Sequence, residues 1–145
     1  MALGGRVKFR SNTGFSPLLA AAQRGHTDIS GLLLAHGSNV NEVAPDTKHT
    51  ALHHAALQGH NASVEALLSW GAKVNPQDHA EFTPLHFACQ EGHLLSYLTL
   101  LKAGASLTLP NNDGVLPIHF AAQRNSVEVV RTLLEHGCSS DMVSC

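Results

Sequence analysis

The sequence predicts an all-α solenoid: stacked helix-turn-helix units joined by short β-hairpin or loop links. Two observations predict it. Four segments of similar pattern recur along the 145 residues, and their anchors Ser16, Thr50, Thr83 and Leu116 lie 34, 33 and 33 residues apart. A glycine then stands 21 residues after every anchor, at Gly37, Gly71, Gly104 and Gly137. A period of this size marks units that cannot bury their apolar faces alone and do so by stacking. Composition agrees, since 43% hydrophobic and 14% charged residues describe a globular chain and not a disordered one. A net charge of −2 argues against a nucleic-acid binder that works by bulk charge. No apolar run approaches the roughly 18 residues of a membrane span.

The four units occupy about 14–47, 48–80, 81–113 and 114–141, between an N-terminal segment 1–13 and a tail 142–145. Each opens at its anchor. Thr50 and Thr83 can cap a first helix by accepting a backbone N–H, and proline at the next position suits the first turn. Small pairs follow at five and six residues (Ala21/Ala22, Ala55/Ala56, Ala88/Cys89, Ala121/Ala122), which lets neighbouring helices approach closely. Gly25, Gly59 and Gly92, nine residues after their anchors, end that helix in the left-handed region. A second helix carries leucine pairs at 17 and 18 residues: Leu33/Leu34, Leu67/Leu68, Leu100/Leu101 and Leu133/Leu134. Links such as Asn75-Pro76-Gln77-Asp78 and Pro110-Asn111-Asn112-Asp113-Gly114 are turn sequences.

Departures from the pattern carry expectations of their own. A turn glycine precedes the anchor by two residues at Gly14 and Gly114, whereas Lys48 and Glu81 replace it elsewhere. If those sites need positive φ, each replacement costs on the order of 1 kcal/mol. The link before Thr50 is one residue longer than the others. Asn125 stands where the other units have the helix-ending glycine, and Asn also enters the left-handed region.

With these residues in view the chain resembles the ankyrin-repeat family, whose unit carries a T-P-L-H-x-A signature. Thr83-Pro84-Leu85-His86-Phe87-Ala88 matches it fully, and Thr50-Ala51-Leu52-His53-His54-Ala55 lacks only the proline. Leu116-Pro117-Ile118-His119-Phe120-Ala121 and Ser16-Pro17-Leu18-Leu19-Ala20-Ala21 are looser copies. The resemblance spans residues 14–141.

Eleven histidines invite a metal hypothesis. Yet His53, His86 and His119 share one repeat position, and His26, His60 and His93 share another, so periodicity makes six of them scaffold residues. By resemblance they bond to backbone between repeats. No HExxH and no zinc-finger spacing occurs, so no metal site is expected. No nucleophile elbow, phosphate loop or dinucleotide fingerprint occurs either, so no enzyme activity and no cofactor are expected. Cys89 falls where other units place Ala, a tightly packed position that favours an inert thiol over a nucleophile. Asn61-Ala62-Ser63 matches a glycosylation sequon by coincidence at a helix start. Three cysteines without short spacing fit a reducing intracellular compartment, cytoplasmic or nuclear. Residues 1–27 are acid-free with charge +4, as in a transit peptide, but the first repeat explains residues 14–41 better.

The resemblance implies a partner held on the concave side by hairpin tips and the first helix. Carried over by position, the tips are Phe15, His49, Phe82 and Val115. The helix positions are Gln23/Arg24, Leu57/Gln58, Gln90/Glu91 and Gln123/Arg124. Aromatic, arginine and amide side chains suit a protein partner. Against this stands the plainer reading that Phe15 and Phe82 merely cover the core between repeats. Trp70, at a helix end away from this face, is either a second contact or a loop cover. The expected function is a non-catalytic protein–protein interaction module, an adaptor or inhibitor, with no nucleic acid and no membrane as partner. The alternative is a substrate of a 2-oxoglutarate-dependent asparaginyl hydroxylase at Asn41 and Asn75. These follow Val40 and Val74 and have Leu33 and Leu67 eight residues before them. The last unit keeps the full internal pattern at Phe120, Val127, Val129, Val130, Leu133 and Leu134. It therefore resembles an internal repeat and not a polar cap. That makes the chain an incomplete array, a fragment or short isoform, with weak self-association through the C-terminal repeat as the expected consequence.

Overall fold

The structure is a computed structural model and describes residues 15–136. The segment 1–13, Gly14, residues 137–145 with Gly137, Cys138 and Cys145, and the side chains of Leu133 and His136 lie outside the described residues. Eight helices are described, in four pairs: α1 (Pro17–Arg24) and α2 (Thr27–Ala35), α3 (Ala51–Gln58) and α4 (Asn61–Ser69), α5 (Pro84–Glu91) and α6 (Leu94–Lys102), α7 (Pro117–Gln123) and α8 (Val127–His136). The odd-numbered helices pack against one another in sequence as an inner layer, and the even-numbered helices form the outer layer.

Local chemistry sets each boundary. Ser16, Thr50 and Thr83 accept the backbone N–H three residues on, at 3.3, 3.2 and 3.3 Å. Leu116 has no side chain able to do so. Gly25, Gly59 and Gly92 close the inner helices at φ 74°, 76° and 73°. Asn125 takes the same conformation at φ 63°, as do Lys48 at 61° and Glu81 at 63° in the links. No strand forms among the described residues. Each link is a tight turn closed by two backbone bonds: an outer one, Ala44 N–H to His49, Asp78 N–H to Phe82, and Asn111 N–H to Val115, each 3.0 Å, and an inner one, in the later turns Glu81 N–H to Asp78 and Gly114 N–H to Asn111, each 2.9 Å. The extra residue before Thr50 is absorbed inside the first turn, where Ala44 also accepts from Lys48 N–H at 2.8 Å. In the later turns Asp78 Oδ1 and Asn111 Oδ1 each accept two backbone amides, which Ala44 cannot do. Successive turns bond to each other through His79 N–H to Thr47 and Asn112 N–H to Ala80.

The core runs as columns through the stack. Leu18, Leu52 and Leu85 are almost completely buried, as are Ala22, Ala56 and Cys89, so the small residues do sit at the inner-helix contacts. In the outer layer Val64, Leu67, Tyr97 and Leu100 are sealed. The Tyr97 hydroxyl donates to the Glu128 carbonyl at 3.2 Å and so meets its polar requirement across a junction. Burial pushes the Cys89 thiol up to about 12, which leaves it protonated and unreactive.

Candidate functional site

The two ends of the inner helices are organised by histidines. Thr50 N–H donates to His53 Nδ1 at 3.0 Å, so the ring hydrogen sits on Nε2, which donates to the Phe82 carbonyl at 2.8 Å. His86 repeats the arrangement, with Thr83 N–H at 3.0 Å and the Val115 carbonyl at 3.0 Å. Each ring therefore completes its own helix cap and holds the link of the next repeat. Burial is the main reason that His53 is driven down to about 4 and that His86 is lowered as well. His119 keeps only the local half, accepting from Leu116 N–H at 2.8 Å. At the other end of the inner helices His60 and His93 reach back to the carbonyls of Gln23 and Leu57, at 3.2 and 3.0 Å. Among the described residues no three His, Cys, Asp or Glu side chains converge as metal ligands.

Three of the sequence-designated tips meet in one aromatic ladder. Phe15 lies edge-on to His54 at 5.3 Å. His49 bridges His54 at 5.2 Å and Phe87 at 5.5 Å. Phe82 stacks on Phe87 at 5.1 Å and reaches Phe120 at 5.3 Å. Each tip thus wedges against the next repeat while remaining only half-buried, as does the fourth tip, Val115. His49 is anchored further by Asp78, whose Oδ2 lies 3.0 Å from its Nε2. The tips therefore both cover the core and present an edge to solvent.

The second group lies at the opposite end of the same helices. Gln23, Arg24, Gln58, Gln90, Gln123 and Arg124 are exposed, while Leu57 and Glu91 are half-buried. The inner helices of about eight residues put roughly 12 Å between the two groups. Sequence reasoning missed what fills that gap: His54, Phe87 and Phe120, four residues after their anchors. The available signal was the recurrence of an aromatic ring at that position in three units, with Ala20 in the first. His54 is buried with its Nε2 unpartnered, and desolvation drives it down to about 4. The arrangement offers an aromatic strip bounded by amides and by charges of both signs, a surface suited to recognition.

Asn41 and Asn75 occupy equivalent places in the first two links. Asn41 Oδ1 accepts from Lys73 N–H and Asn75 Oδ1 from Ser106 N–H, each at 2.9 Å, so both stitch one repeat to the next. Trp70 stands half exposed at the end of α4.

A family model for ankyrin repeats in three copies matches residues 2–78 and 75–143. The chain is 42% identical over 69 residues to the "Ankyrin repeat and KH domain-containing protein mask" of Drosophila melanogaster, covering 47% of this chain and 2% of that protein. It is 41% identical over 66 residues to the human "BCL-6 corepressor-like protein 1", covering 46% and 4%. With the human "Ankyrin repeat and SOCS box protein 6" it shares 44% over 61 residues, covering 42% and 14%. The chain thus spans only a small part of the curated relatives it matches. The full signature at Thr83–Ala88, the four helix pairs and the family match agree: the chain belongs to the ankyrin-repeat family.

Proposed function

We propose that this chain is a non-catalytic adaptor or inhibitor that holds a partner protein on the aromatic ladder of its inner helices. Ankyrin repeats are generally protein–protein interaction modules, which is the coarse part of this reading. The observation that carries the finer part is the continuous strip from Phe15 to Phe120, bounded by the exposed Gln58, Gln90, Gln123 and Arg124. Aromatic rings held by packing make contact area at low entropic cost, and the amides and Arg can supply hydrogen bonds at the rim. The proposed setting is intracellular, cytoplasmic or nuclear.

Proximity labelling with the intact chain, then with Gln90→Ala and Arg124→Glu together, tests this. Both side chains are exposed, so helicity should be unchanged while specific labelling falls at least tenfold. An outer-face control, Leu95→Glu, should leave labelling intact. Equal labelling by all three proteins would refute the concave reading.

A second reading, hydroxylation of Asn41 and Asn75, is favoured by their equivalent placement. Because both amides bond the next repeat, modification would act on a transiently opened link. Incubation with an asparaginyl hydroxylase, ferrous iron, 2-oxoglutarate and dioxygen, one oxygen atom entering the side chain and the other leaving in succinate as carbon dioxide is released, should add 16 Da to peptides carrying either residue; unmodified peptides would exclude it. We also propose weak self-association through the last repeat, where Ala122 is exposed although Ala22 and Ala56 are sealed.

A further inference from the structure

Inside the stack, two contacts recur at the first two junctions and a third marks the first, and together they define what a repeat requires of its neighbour. The ring of His60 lies across Gly25, and that of His93 across Gly59, so closely that a Cβ there would sit 2.7 and 2.6 Å from them. The same rings bond the carbonyl two residues earlier, at Gln23 and Leu57. Between outer helices Thr27 Oγ1 meets Ser63 Oγ at 2.9 Å, the eleventh position of one repeat against the thirteenth of the next.

Among the described residues, the first and last helix pairs hold the unused halves of these contacts. On the face of α1 and α2 the equivalent ring is His26, exposed beside Ile29, which is 49% exposed, above an apolar hollow of about 290 Å³. Ile29 is the thirteenth-position residue, and its counterparts Ser63, Ser96 and Val129 are all buried. On the face of α7 and α8 the eleventh position is Val127, 57% exposed, at a groove of about 470 Å³ that includes Ala122, Val130 and Leu134. The pair formed by the two ends is apolar, unlike Thr27 and Ser63 at the first junction and like Leu94 and Val129, the corresponding residues of the third and fourth repeats. One element is mismatched. The residue that should receive His26 is Asn125, in the same left-handed conformation as the glycines but carrying the Cβ that they lack.

We propose that the α7–α8 face binds the α1–α2 face of a second copy, Ile29 on Val127, and that the Asn125 side chain keeps this head-to-tail stacking weak by obstructing His26. The inference rests on the self-association reading above and names its partner, its contact and its limit. The same stacking would align Arg24 with Arg124 by repeat position, a like-charged pair where the third and fourth repeats align Glu91 with Arg124. Such an interface is heterologous and, if its rotation does not close, grows without limit. Asn125 thus serves as a brake on polymerisation.

Sedimentation velocity of the full chain over a concentration series tests the idea. Wild type should be mainly monomeric, with a small rise in average mass at high concentration. Asn125→Gly should associate at least tenfold more tightly, with mass rising and reaching no dimer plateau. Adding His26→Ala or Ile29→Asp to that variant should reverse the gain, and circular dichroism should show all of them folded. Equal association of wild type and Asn125→Gly would overturn the brake while leaving self-association standing. Absence of association in both would overturn self-association itself. Association of Asn125→Gly that survives Ile29→Asp and Val127→Asp would place the contact elsewhere and also overturn the proposal.

Discussion

Lys48, Glu81 and Asn125 hold left-handed backbone with a Cβ attached, at φ 61°, 63° and 63°. Strain of this kind costs on the order of 1 kcal/mol for an ordinary side chain and less for Asn. Lys48→Gly and Glu81→Gly should therefore each raise the unfolding free energy by roughly 0.5–1 kcal/mol, read as a higher urea midpoint at unchanged slope. The positive φ at these sites was legible in the sequence because Gly14 and Gly114 occupy the same place in the other units. The histidines make a second residue-scale case. His53 Nδ1 accepts from Thr50 N–H, so a proton on that nitrogen would face the donor and break the cap. His53 and His54 titrate near 4 in the fold against about 6.5 unfolded. Between those values the unfolded chain binds more protons, so stability is complete above pH 6.5 and falls as pH drops toward 4. The slope should reach about 1.4 kcal/mol per pH unit for each group, checked by urea titrations at pH 7, 6, 5 and 4.5. His53→Ala and His54→Ala should each flatten that dependence.

At the scale of elements, helix ends and helix contacts are one problem. Gly59 closes α3 at φ 76° and also lies under the His93 ring, whereas Gly104 has φ 95° and open space around its missing Cβ. Gly104→Ala should cost only the backbone strain, about 1–2 kcal/mol. Gly59→Ala should add roughly 1–3 kcal/mol of overpacking, and the difference in urea midpoint between the two variants measures it. Helix positions, caps and core columns were legible because each depends on a residue and its near neighbours in one period. The aromatic ladder was only half legible. The tips Phe15, His49 and Phe82 follow from their repeat position, but their partners His54, Phe87 and Phe120 come from a different position and, in several cases, a different repeat. A one-dimensional pattern does not show which columns touch. The same holds for Asp78, read from sequence only as a turn residue, whose carboxylate organises one turn and anchors a histidine 29 residues earlier.

For the whole molecule, stability is a sum over repeats and the junctions between them. The second and third repeats have junctions on both sides, while Ala122 and Val127 at one end and Ile29 at the other remain exposed. Hydrogen exchange resolved by repeat should show the amides of α3 and α5 protected most strongly, and those of α8 exchanging fastest among the outer helices. Protection of α8 equal to that of α4 would show that the chain opens as one unit.

The imidazole of His53 joins two events that could have been separate. Its ring can donate to Phe82 in the correct orientation only while Thr50 pins the other nitrogen, so the second repeat must be ordered before it can order the third. His60, just before the following helix of that same repeat, reaches back to the first. His86 and His93 do the same for the third repeat, so both middle repeats are coupled on two sides, as in a chain of coupled spins whose interior sites have two bonds and whose ends have one. A lesion there does not remain local: it disconnects the array into pieces, each shorter than the stack that made it stable.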